Sequence, residues 1–322
     1  MKHRRLISSA IAAIMLFGVV PATPSYAILE SDTQIQEKTG QPFSSYWYPS
    51  ELLNWNPKTD KDAKFNVGTV PLKQRESADK VKDSQDEKAK VISLAIANKT
   101  TSSTPSQGKD TMDGYNFSYW QYIDTLVAWG GSAGEGLIVP PSADLIDAAH
   151  TNGVPVLGTI FFPPVEYGGK DEWLDEFLQK DVDGTFPMAK KLIEVAKYYN
   201  FDGWFVNQET GGKGSSNLRP ETAKLMKEFL AYLQKIKSEN MEIIWYDSMI
   251  DDGRIFWQNR LTEYNKNYLG DKDNKLSDGM FLNFWWTNNR MYVVDPDNVD
   301  NQLIHTNTGD VLKESGELAE SM

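Results

Sequence analysis

The chain contains no cysteine and only three histidines. Without thiols it can form neither disulfides nor thiolate metal sites, so its stability has to rest on a hydrophobic core. His150 and His305, the two histidines outside the first few residues, lie far apart in the sequence. That argues against a histidine-rich metal centre, and neither a metal nor a cofactor is expected. Positive charge is also scarce. Lys and Arg number 33 against 45 Asp and Glu, a net charge of -12, which argues against nucleic acid and against anionic membrane surfaces as partners. Long apolar runs are missing except at the N-terminus. There, basic residues Lys2 to Arg5 precede the uncharged run Leu6 to Val20 and the small-x-small triplet Ser25-Tyr26-Ala27. The run is shorter than the ~20 apolar residues of a spanning helix. It reads as a signal peptide, residues 1–27, cleaved after Ala27, rather than as an anchor. Secretion or a cell-surface location follows as an expectation, with residues 28–42 as a flexible polar lead-in.

What is abundant is aromatic. The chain holds 10 Trp, 14 Tyr and 14 Phe, several of them beside Asn, Asp and Gly, as in Ser44 to Pro57. Aromatic faces suit sugar rings, although a core rich in aromatics explains composition alone equally well. Downstream of a charged stretch at 73–90, with helical spacing over Ala78 to Val91, strand and helix signals alternate. An apolar run, Trp120 to Trp129, ends in Gly130-Gly131. Helices are predicted at Asp144 to His150, Phe186 to Tyr199, Pro220 to Lys237, Ile255 to Tyr264 and Leu312 to Ser321. Strands are predicted at Val154 to Phe162, Phe201 to Glu209, Ile243 to Ser248 and Met280 to Trp286. Near-continuous apolar strands alternating with helices imply a parallel sheet covered by helices, an α/β class. Polar and aromatic residues gather at the C-terminal ends of the strands, where a (β/α)₈ barrel (TIM barrel) places its active site. A doubly wound sheet is the alternative, weakened by the lack of a glycine-rich phosphate loop after the first strand.

The chemistry centres on Asp202-Gly203-Trp204-Phe205-Val206-Asn207-Gln208-Glu209. Side chains alternate along a strand, so Phe205, Asn207 and Glu209 share a face. On the next predicted strands Ile244, Tyr246 and Ser248 share one, and Asn283 and Trp285 another. Asp247 falls on the face opposite Tyr246 and reads as structural. Glycoside cleavage needs an acid for the leaving oxygen and a group to meet the positive charge developing at the anomeric carbon. Here a carboxylate is paired with an amide. An amide is a poor nucleophile, but it can orient the 2-acetamido group of a substrate that supplies its own nucleophile. A purely structural role for Asn207, and core packing for Tyr246 and Trp285, are the plainer alternatives.

The segment Phe201 to Thr210 closely resembles the catalytic segment of the family-85 glycoside hydrolases, the endo-β-N-acetylglucosaminidases. Asn116 to Asp124, Ala148 to Thr159, Phe161 to Pro164, Trp245 to Met249 and Leu282 to Trp286 resemble further family blocks, in family order. The resemblance spans roughly residues 43–322. It implies a (β/α)₈ barrel and retaining, substrate-assisted cleavage through an oxazoline, between the two core GlcNAc residues of N-linked glycans, with transglycosylation as a possible outcome. By position it implies Glu209 as acid/base, Asn207 as the acetamido-orienting residue and Tyr246 as an active-site phenol. Trp257 and Trp285 resemble subsite aromatics, and Phe161 and Tyr167 are further substrate-binding candidates. The same segment is similar to the acidic strand of family-18 chitinases, but Phe205 and Asn207 stand where that strand has two acids. A chitinase-like hexosaminidase and a non-catalytic N-glycan-binding protein remain the alternatives. About five strands are clear, with a weaker candidate at Phe65 to Leu72, against the eight of a closed barrel. Residues 43–322 are therefore expected to form an incomplete barrel, truncated at the C-terminus, and to be poorly soluble or inactive alone.

Overall fold

The computed structural model describes residues 40–75, 90–109, 114–212, 217–284, 291–292, 303–304 and 308–322. Six strands lie side by side in chain order and parallel: β1 (Ile92–Ala95), β2 (Thr125–Ala128), β4 (Val156–Phe162), β5 (Gly203–Gln208), β6 (Glu242–Tyr246) and β7 (Gly279–Phe281). A two-residue strand, β3 (Ile138–Val139), pairs antiparallel with β4. The helices are α1 (Pro49–Asn54), α2 (Ala143–Thr151), α3 (Asp171–Phe177), α4 (Pro187–Tyr199), α5 (Pro220–Ile236) and α6 (Thr308–Ser321). Two short strands, β8 (Met291–Tyr292) and β9 (Leu303–Ile304), pair antiparallel with each other. This is a curled parallel sheet of (β/α)₈ type, six strands of it among the described residues.

The alternation along each strand sorts two cores. Trp204 and Val206 of β5, Ile243 and Trp245 of β6, and Val156, Ile160 and Phe162 of β4 face the helices. There they join Leu192 and Val195 of α4 and Phe229 and Leu230 of α5 in the large cluster. Val127, Leu157, Phe205, Ile244 and Tyr246 point the other way and form a second cluster inside the curl of the sheet. Pro187 and Pro220 each open their helix at a position whose N–H has no intrahelical acceptor. Asn200 closes α4 in the left-handed conformation, φ 68°. Gly203 starts β5 at φ 148°, and a Cβ there would stand 1.9 Å from the Glu242 carbonyl oxygen. That close approach, needed to pair β5 with β6, admits only glycine.

Three expectations fail. Residues 255–264 are irregular, not a helix: Gly253 (φ 86°) and Asn259 (φ 60°) turn the chain left-handed, and the peptide N–H groups of Gln258 and Asn259 are drawn to Asp247. Residues 65–72 make no strand. The segment leaves a 3-10 turn, Ala63–Asn66, then gives its N–H groups away, Gly68 to the Tyr199 carbonyl and Thr69 and Val70 to the Asp147 carboxylate. The first strand is Ile92–Ala95, four residues hidden behind the charged stretch whose helical reading ran to Val91. Most of that stretch, residues 76–89, lies outside the described residues, as do residues 1–39 with the expected leader. The last predicted strand is shorter than its apolar run, ending at Phe281.

Candidate active site

β5 delivers Asn207 to the inner face, and the chain then turns sharply. Gln208 faces the other way, fully buried. Its side-chain amide accepts from Thr210 N (2.9 Å) and donates to the Thr210 carbonyl (2.7 Å), while its own carbonyl accepts from Ser248 Oγ (2.5 Å). Glu209 N donates to the Phe162 carbonyl at 2.8 Å. The carboxylate is thereby set at the C-terminal rim beside β4, one residue past the strand, where such a sheet presents its functional groups.

Asn207 and Glu209 are in contact: Asn207 Nδ2 donates to Glu209 Oε1 at 3.1 Å. The other end of the same amide, Asn207 Oδ1, is buried and has no hydrogen-bond partner in the protein. Glu209 also accepts a hydrogen bond from the Trp257 side chain. Burial raises its pKa above the ordinary carboxylate range, against the lowering effect of those two bonds. Tyr246 Oη donates to Asn283 Oδ1 (2.8 Å), and Asn283 Nδ2 donates to Asn259 Oδ1 (2.7 Å). Burial, and then the neighbouring charges of Glu209 and Asp247, raise the Tyr246 pKa, so the phenol keeps its proton. Asn207, Glu209, Tyr246, Trp257 and Asn283 line a cleft of about 520 Å³ with Leu94, Ile96, Trp129, Phe205, Phe281 and Phe284.

The arrangement brings together Glu209, Asn207, Tyr246 and Trp257. Phe161 is half-buried next to the cleft, its ring 5.1 Å from that of Trp129. Tyr167 stands in a 3-10 turn after β4, 72% exposed and outside the cleft lining. Trp285 lies outside the described residues. The sequence reading overlooked Trp129, Phe281 and Phe284 as lining residues. Trp129 was discoverable, because it follows β2 just as Glu209 follows β5. Asp247 was placed on the correct face, but its reach was not visible. It is completely buried, and it accepts from Gln258 N (3.2 Å), Asn259 N (2.7 Å), Asn265 Nδ2 (2.9 Å) and Asn283 N (3.4 Å). It thus holds the segment that carries Trp257 against the one that carries Asn283. Among the described residues no group of three or more His, Asp or Glu is placed to hold a metal ion.

A carboxyl of raised pKa at 3.1 Å from a fixed amide, beneath aromatic walls, can exchange a proton with a leaving group while the amide binds a polar substituent. Glycosyl hydrolase family 85 matches residues 97–308 of the chain. The chain is 29% identical over 238 residues to the cytosolic endo-beta-N-acetylglucosaminidase of Gallus gallus, covering 73% of this chain and 30% of that protein. It is 27% identical over 252 residues to that of Homo sapiens, covering 77% and 31%. The crystal structure of the glycoside hydrolase domain of Endo-D from Streptococcus pneumoniae R6 superposes with a TM-score of 0.66 and 33% identity, over 76% of this chain and 38% of that one. The chain therefore spans under a third of the length of these curated relatives. Their names also correct the expectation of export: they are cytosolic enzymes, in animals and plants alike. No helix among the described residues is long and apolar enough to cross a membrane.

Proposed function

This chain belongs to glycosyl hydrolase family 85, and from that premise we propose that it cleaves the β-1,4 bond between the two core N-acetylglucosamines of N-linked glycans. Glu209, protonated, gives its proton to the glycosidic oxygen as the bond from the anomeric carbon to that oxygen breaks. The substrate's own acetamido oxygen closes on the anomeric carbon and forms an oxazolinium ion that keeps its N–H. Water then attacks the same carbon and loses a proton to Glu209. The bond from the anomeric carbon to the acetamido oxygen breaks, its electron pair restores the neutral acetamide, and the sugar is released with its configuration retained. A sugar hydroxyl in place of water gives transglycosylation.

The observation that carries this reading is the state of the Asn207 amide. Its Nδ2 is spent on Glu209, and its buried Oδ1 has no partner. A buried carbonyl oxygen calls for a donor, and the N–H of a 2-acetamido group is one. The raised pKa of Glu209 supports the acid role, since a carboxyl ionised at low pH has no proton to give. Tyr246, whose proton goes to Asn283 Oδ1, leaves its phenol oxygen as an acceptor at the cleft wall, and Trp257 both contacts Glu209 and offers an apolar face.

The test is cleavage of a defined N-glycopeptide by the full chain and by Glu209→Gln, with chitin oligomers as a second substrate. The wild type is expected to release the glycan, and the variant to lose ~10²–10⁴-fold in rate while still binding. Activity should fall as pH rises through the raised Glu209 pKa. Turnover of chitin oligomers but not of glycopeptide, or a variant with more than about a tenth of the wild-type rate, sinks the proposal.

A further inference from the structure

At one wall of the cleft a short chain of side chains ends on a main-chain carbonyl. Tyr246 Oη donates to Asn283 Oδ1 at 2.8 Å, and Asn283 Nδ2 donates to Asn259 Oδ1 at 2.7 Å. Asn259 Nδ2 donates in turn to the Trp257 carbonyl at 3.4 Å. All three side chains are buried. The direction of the chain follows from its last member. A carbonyl oxygen only accepts, so it takes the nitrogen of the Asn259 amide and turns the oxygen of that amide to Asn283. Asn283 meets it with its nitrogen, and its own oxygen is left for the phenol proton. Both asparagines are also tied by their main chain to a single carboxylate oxygen: Asp247 Oδ2 accepts from Asn259 N (2.7 Å) and Asn283 N (3.4 Å). Asp247 directly follows Tyr246, so the end of β6 carries both the phenol and the anchor of the two amides. Asn259 stands at φ 60°, a left-handed conformation that asparagine adopts more readily than most side chains. Asn283 lines the cleft and Asn259 does not.

We propose that Asn283 and Asn259 are positioning residues for the reaction: together they engage the Tyr246 O–H, so that the phenol meets the substrate with its oxygen lone pairs and not with its proton. The proposal rests on the reading of the cleft given above. In that reaction positive charge grows on the anomeric carbon and passes to the oxazolinium ion. A phenol free to rotate would spend part of its time with the O–H dipole turned the wrong way for that charge. Pinned by Asn283, it presents the negative end of the dipole in advance, and nothing has to reorganise as the charge develops. Burial, and then the charges of Glu209 and Asp247, raise the phenol pKa and keep the group neutral. A network that only satisfied buried polar groups could run in either direction. This one ends on a main-chain carbonyl and runs in one.

The test is a double-mutant cycle on the full chain with a defined N-glycopeptide as substrate. Asn283→Ala removes the acceptor of the phenol proton. Asn259→Gly tolerates the left-handed backbone, removes the second amide and lies outside the cleft lining, so it can act only through Asn283. Each is made in the wild type and in Tyr246→Phe. In the wild type Asn283→Ala is expected to lower kcat about tenfold and Asn259→Gly about threefold, with KM within about twofold, the coupling usual inside one hydrogen-bond network. In Tyr246→Phe neither should lower kcat further. Equal losses in the two backgrounds overturn the proposal, whatever the melting temperatures do, because a structural role or a direct contact of Asn283 with substrate does not depend on the phenol. A second measurement needs no turnover. With tyrosine labelled at Cζ, the Tyr246 resonance, identified by its absence from Tyr246→Phe, should move upfield in both single variants, as it does in a phenol that ceases to donate. An unmoved resonance overturns the proposal. If wild type cleaves no glycopeptide while the resonance moves, the catalytic reading fails and the orientation of the phenol by the two amides stands.

Discussion

Asn207 and Glu209 are two residues apart, and the roles proposed for them rest on what each atom touches. The Asn207 amide gives Nδ2 to Glu209 and leaves Oδ1 without a partner. Asn207→Ala should therefore separate two activities that Glu209→Gln removes together. Formation of the oxazoline loses its steering group, and hydrolysis of intact glycan is expected to fall by about 10²–10³-fold, the usual effect of deleting one such oriented group. Transfer from a preformed sugar oxazoline needs only Glu209 as base and should survive. Rate measurements on both donors check this, and equal loss of the two returns Asn207 to a structural role. The pairing was legible in the sequence, because period-two alternation puts both side chains on one face of any strand through 203–209. The unpaired oxygen was not, since it depends on which donors other strands bring near.

Two elements show how the rim of the sheet is built. β5 can pair with β6 only because residue 203 has no Cβ to meet the Glu242 carbonyl. Gly203→Ala is expected to cost roughly 2–4 kcal/mol, visible as a lower denaturation midpoint with activity lost in parallel. The irregular segment 253–265 is held by Asp247, whose pKa burial raises to about 6 against the pull of four donors, the Asn265 side chain and the N–H groups of Gln258, Asn259 and Asn283. Its folded pKa lies above the ordinary carboxylate value of 3.8. The corresponding stability is present below that value and is lost as pH rises through about 6, on the order of 3 kcal/mol. Asp247→Asn should abolish this part of the pH dependence in thermal melts between about pH 4 and pH 6. It should also loosen the Trp257 segment, raising KM more than a remote destabilising substitution does. Wild-type melts that stay flat over that window refute the assignment. Helical spacing over 255–264 misled the sequence reading here. Local periodicity competes with a buried carboxylate that takes the backbone N–H groups a helix needs, and the carboxylate wins.

At the scale of the molecule, the two ends of the sheet do different things. The C-terminal ends carry the cleft. Near the N-terminal ends His150, buried, bridges the Val70 carbonyl (Nδ1, 2.7 Å) and Asp202 Oδ2 (Nε2, 2.9 Å), and Asp202 Oδ2 also accepts from Val156 N (2.8 Å). Both ring nitrogens face acceptors, which favours the charged imidazolium. Burial lowers the His150 pKa, but the Asp202 and Val70 hydrogen bonds outweigh it, and the net shift is upward from 6.5. That stabilisation is complete below pH 6.5 and is lost as pH rises through the folded pKa. His150→Gln should lower stability by roughly 1–3 kcal/mol, most at acidic pH, and leave kcat on a glycopeptide unchanged. A fall in kcat without a fall in melting temperature would contradict the separation of the two ends.

The sequence by itself determined the parallel α/β class, the positions of α2, α4, α5, β4, β5 and β6 to within about two residues, and the Asn207–Glu209 pair. All of these follow from periodicity, caps and the alternation of a strand, which are local. Only the tertiary structure decided that the first strand is Ile92–Ala95, that residues 253–265 are a loop tied to Asp247, that Tyr167 faces solvent, and that Asn283 bridges Tyr246 and Asn259. Each of those depends on a partner far along the chain, a hydrogen bond or a packed ring whose nearness no local pattern encodes.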